Sequence, residues 1–119
     1  MVRPLREDVM VTPIFTVGDS LAPPDTATYP YIFPPLPDGL GIRKTDPGIA
    51  EIYVAHEILY DGFGPSARMS RLALDLRNLG ILAGDLLVDG SEGYSRFCAA
   101  SLVGSREGFL QPNFLLNEE

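Results

Sequence analysis

Apolar and polar positions alternate with a two-residue period in two stretches of the chain. In residues 49–59, IAEIYVAHEIL, Ile52, Val54, His56 and Ile58 fall on one side and Glu51, Tyr53, Ala55 and Glu57 on the other. That is the period of a strand with side chains on both faces of a sheet, with some helical ambiguity left by the residue types. In residues 66–76, SARMSRLALDL, Ser70, Leu72, Leu74 and Leu76 alternate with Met69, Arg71, Ala73 and Asp75, which predicts a half-buried strand with its leucine face inward. A helix over 66–79 is the competing reading, because Arg, Met, Leu and Ala are good helix formers. Farther on, the pattern predicts a short apolar run at 86–88, a turn at Asp89 and Gly90, a strand from about Tyr94 to Leu102, and a last apolar strand over 113–117.

Proline changes the picture upstream. Residues 21–41, LAPPDTATYPYIFPPLPDGLG, hold six prolines, each removing a ladder donor and pushing its predecessor toward extended geometry. The segment reads as an ordered, extended loop that packs through Tyr29, Tyr31, Ile32, Phe33 and Leu36, since these are too apolar for a solvated spacer. Before it, residues 9–17, rich in Val, Thr, Ile and Phe, predict an edge or opening strand.

Short strands at intervals of roughly 8 to 15 residues, joined by turns bearing Gly and Asp, are the pattern of sandwiches and propellers. The fold class expected is therefore all-β with antiparallel sheets. Gly and Pro supply 12 and 11 of the 119 residues, a punctuation that disfavours long helices. Sixteen acidic against nine basic residues give a net charge of -7, which disfavours nucleic acid as a partner and suits hard cations such as calcium, while also serving simple solubility. No run of about 18 apolar residues is present, so no transmembrane segment is expected. The first eight residues carry no apolar stretch after their basic residues, so no signal peptide is visible. The single cysteine, Cys98, rules out an internal disulfide.

The residues with chemical potential are Pro37-Asp38-Gly39, the pair His56-Glu57, Arg96-Phe97-Cys98, and the terminal Asn117-Glu118-Glu119. Each alone is common: Pro-Asp-Gly is a usual turn, with a calcium role for Asp38 the lesser reading, and a lone cysteine is usually a small buried residue. Together, and with TPIFTVGDSL (12–21), PDGLG (37–41), YVAHE (53–57), SRLALDL (70–76), GYSRFCAASL (93–102) and FLLNEE (114–119), they resemble the amino-terminal region of the bacterial PhoX-type alkaline phosphatase family. The chain departs from that pattern at Ala55, where an Asn often stands, and at the Ala-Ala after the cysteine.

The resemblance implies a β-propeller of which residues 1–119 form the amino-terminal segment, covering only the first blades. It implies a metal-dependent phosphomonoesterase that acts outside the cytoplasm at a cluster of ferric iron (Fe3+) and calcium (Ca2+) and is monomeric when complete. Carried over by motif, Cys98 becomes an iron ligand and Glu57, Glu118 and Glu119 become metal ligands; Arg96, by its bidentate donor geometry, reads as the catalytic phosphate contact. Of Glu118 and Glu119, strand alternation sends only one toward such a cluster. His56 reads as an orienting group or, more simply, a satisfied structural histidine. Arg96 has an equally good reading as a partner of Asp89 or Glu92. The segment alone is expected to be inactive. The alternative function is a non-catalytic propeller or β-rich binding module, since fold does not fix function.

Overall fold

The computed structural model describes residues 6–23, 29–59, 62 and 66–119. Its centre is a four-stranded antiparallel sheet in the order β3 (Pro37–Asp46), β4 (Ile49–His56), β5 (Arg68–Asp75) and β6 (Ile81–Val88). Two smaller antiparallel pairs flank it: β1 (Ser20–Leu21) with β2 (Tyr31–Ile32), and β7 (Phe97–Val103) with β8 (Asn113–Glu118). One turn of 3-10 helix at Ser105–Glu107 links β7 to β8. The chain is thus all-β and antiparallel, and the central sheet stays open, with β3 and β6 as its edges.

The alternation read from the sequence assigns the faces. On β4 and β5 the even-numbered residues Ile52, Val54, Leu72 and Leu74 are buried, and with Phe33 they form one core cluster on which Phe15, Tyr31 and Ile81 also pack. Each such side chain, fully buried, contributes about 1.5–3 kcal/mol. The opposite face meets the β7 and β8 pair through a second cluster of Ala55, Ala67 and Phe97, joined by Val88, Ala100 and Leu116. Tyr53 stacks on Phe114 from the same side. Residues 68–75 are a strand, so the helix reading of this stretch fails: a two-residue period that buries Leu72 and Leu74 against Phe33 outweighs the helix propensity of the individual residues.

Four expectations are corrected. Residues 9–17 form no strand; Pro13 removes a donor there, and regular pairing begins only at Ser20, opposite Ile32. Residues 21–41 are not one loop, because Leu21 and residues 31–32 pair as β1 and β2 and β3 starts at Pro37. Phe33 and Tyr31 pack as expected, whereas Ile32 and Leu36 are exposed and Tyr29 makes no core contact. Residues 37–39 are strand rather than turn. At Gly39 a Cβ would stand 2.4 Å from the Ala100 Cβ and 2.6 Å from its backbone nitrogen, and at Gly41 it would meet the Leu102 Cβ at 2.8 Å. These glycines serve close approach of β3 to β7, which turn chemistry does not require.

Candidate functional site

The strand geometry determines what surrounds Glu57. It follows β4 on the odd-numbered side, the side that faces β7 and β8, while His56 points to the other face. Just before β7, Arg96 adopts φ 42°, a left-handed conformation unusual for a residue other than glycine. Its amide donates to Ile58 O at 3.4 Å and its carbonyl accepts from Glu119 N at 3.2 Å, so the ends of β4, β7 and β8 are laced together at this one residue. The Arg96 guanidinium donates to Glu57 Oε1 through Nη2 at 2.7 Å and Nε at 3.2 Å. It also pairs with Glu119 Oε2 at 3.2 Å.

Cys98 completes the corner. Its thiol is half-buried, and partial burial, the charge and hydrogen bond of Glu119, and the charge of Glu57 together raise its pKa above the ordinary value. Three of the five candidate residues, Glu57, Arg96 and Glu119, therefore meet in ion pairs, although 39 residues separate Arg96 from Glu57, and Cys98 lies two residues beyond Arg96 on β7. Glu118 does not join them: it lies opposite Phe97 in the ladder, and its carboxylate accepts from Ser95 N at 2.7 Å. Arg96 pairs with neither Asp89 nor Glu92, whose carboxylates are engaged in their own turn by the amides of residues 89–91.

The donor types suit the ions the motifs imply, a thiol for iron and carboxylates for calcium. Their placement does not make a coordination sphere: among the described residues no group of three or more His, Cys, Asp or Glu is placed to hold an ion, Glu57, Cys98 and Glu119 included. One guanidinium against two carboxylates also leaves the corner net negative, so it repels a phosphate monoester unless cations are added.

His56 was legible only as an ambiguous histidine. It has no solvent exposure, its Nδ1 lies 3.1 Å from Pro35 O and its Nε2 lies 2.8 Å from Ser70 Oγ. Burial lowers its pKa below the ordinary value, a hydrogen bond to Pro35 opposing in part. The hydroxyls of Ser70 and Tyr31 continue this chain at 2.7 Å; the sequence marks Ser70 only by its place in the alternation and Tyr31 only as a packing residue of the proline-rich segment. Asp38 makes no metal site with its neighbours among the described residues. Compared with protein-family models, with curated proteins and with solved structures, the chain finds no match.

Proposed function

We propose that this chain is the amino-terminal part of a metal-dependent phosphomonoesterase, with Glu57, Cys98 and Glu119 contributing ligands to an iron and calcium cluster. The remaining ligands of that cluster lie outside these residues. The observation that carries the reading is the convergence of Glu57 and Glu119 on Arg96, two residues before Cys98, since residues far apart in sequence are brought together beside the cysteine that the motifs nominate. A second observation points the same way. Of the three non-glycine residues with positive φ among the described residues, Leu36, Leu79 and Arg96, two adjoin Glu57: Arg96 binds its carboxylate and Leu36 O accepts its amide at 2.9 Å. Strain of this kind costs about 1–3 kcal/mol and collects at functional sites.

When bound, the cations would polarise phosphoryl oxygens and offset the negative corner. On this reading the Glu57 and Glu119 carboxylates would hold calcium, the Cys98 sulfur would hold iron, and Arg96 would present N–H donors to a phosphate oxygen. The alternative is a non-catalytic β-rich binding module. It is favoured by Arg96 itself, which already satisfies both carboxylates as a closed ion-pair cluster.

Equilibrium dialysis of the purified chain against iron and calcium, read by elemental analysis, separates the two. Weak iron binding, as for an incomplete site, is expected, reduced at least severalfold in Cys98→Ser, because an alcohol is a far poorer ligand than a thiolate. Iron content unchanged by that substitution sinks the metal reading. Hydrolysis of p-nitrophenyl phosphate by these 119 residues alone is expected to stay at the buffer rate.

A further inference from the structure

Behind Glu57 runs a buried, completed chain of hydrogen bonds whose proton directions follow from its chemistry. A carbonyl oxygen only accepts, so His56 Nδ1 carries the hydrogen and donates to Pro35 O at 3.1 Å. His56 Nε2 then accepts from Ser70 Oγ at 2.8 Å, and the Tyr31 hydroxyl donates to Ser70 Oγ at 2.7 Å. His56 and Ser70 both have zero exposure. No substrate reaches them, so the pair is not a hydrolytic serine and its base. Its attachment points say more. Pro35 O is held by the ring of His56, and the next carbonyl, Leu36 O, accepts the amide of Glu57 at 2.9 Å. Leu36 sits at φ 52°, a conformation that persists only where its surroundings over-determine it.

We propose that His56 is a positioning residue for Glu57. Through Ser70 on one side and Pro35 on the other, it clamps residues 35 and 36 against the end of β4 and fixes the backbone from which the Glu57 carboxylate reaches Arg96. The inference rests on the reading of that corner as the functional one, yet its test needs no metal. Arg96 Nε donates to Glu57, so the exchange rate of the Arg96 Nε–H proton, followed by NMR in the full chain, reports how firmly Glu57 is placed.

The variants are Ser70→Ala, which removes the hydroxyl that His56 accepts, and His56→Gln, with Val54→Ala as a control. Val54 is equally buried in the same strand but makes no hydrogen bond in the array. The expected result is exchange at least tenfold faster in Ser70→Ala, and in His56→Gln if it folds, with Val54→Ala close to wild type. Wild-type exchange in Ser70→Ala, or equal acceleration in Val54→Ala, overturns the positioning role. A calcium titration of the wild-type chain tests the corner separately. Absence of binding together with accelerated exchange in Ser70→Ala defeats the metal reading and leaves the positioning inference standing.

Discussion

At the residue scale, the two neighbours His56 and Glu57 show how one strand end serves two environments. Alternation turns Glu57 toward β7 and β8, where it meets a cation, and turns His56 into the apolar core, where Phe33 packs edge-on against its ring. A histidine buried there is held neutral, its folded-state pKa lying below the ordinary 6.5. The unfolded chain therefore takes up this proton first as pH falls. The stability that neutral His56 provides is complete above about 6.5 and is lost as pH drops through the folded value. Urea denaturation at pH 7.5 and 5.5 should show a lower midpoint at 5.5, and the difference should shrink in His56→Gln. Identical shifts in the two proteins would assign the effect to other groups. Asp75, buried in β5 and held by Arg77 through its amide and guanidinium, has a lowered pKa and titrates well below this window.

At the scale of elements, the contact between β3 and β7 depends on two missing side chains. Gly39 and Gly41 both face β7, and a methyl group at either would overlap the backbone or Cβ atoms of Ala100 and Leu102, which cannot swing away as a flexible side-chain tip does. Gly41→Ala is expected to cost about 1–3 kcal/mol, the usual penalty for overpacking, read as a fall in the thermal midpoint. A midpoint within error of wild type would mean that β7 shifts freely on β3. The arrangement also explains why residues 37–39 read as a turn: the demand for glycine comes from a strand some sixty residues later, and no local pattern announces it.

For the whole molecule, two clusters on opposite faces of one sheet hold the parts together, one beneath the amino-terminal segment and one beneath β7 and β8. Two strands alone are marginal in water, so β7 and β8 depend on Phe97, which is 4% exposed and central to the second cluster. Phe97→Ala should cost about 3–5 kcal/mol, as large-to-small core changes do. Hydrogen exchange should then rise first in the amides of β7 and β8, ahead of those of β4 and β5, and uniform loss across all four strands would contradict this division. Because Arg96 directly precedes β7, Cys98 lies in it and Glu119 directly follows β8, the same variant should detach that group from Glu57.

The sequence by itself determined the all-β class, the span of β4 and β5 and the faces of their residues. Each rests on a local two-residue period that survives into the fold because one face must be apolar. It also named Glu57, Cys98, Glu118 and Glu119 together, through motifs and not through any spatial argument. Only the tertiary structure decided that Glu119 and not Glu118 joins them, that Arg96 stands between the carboxylates, and that Ser70 and Tyr31 complete the hydrogen bonds of His56. These are contacts between strands far apart in the chain, set by how the β7 and β8 pair docks on the central sheet, and sequence separation carries no record of that docking.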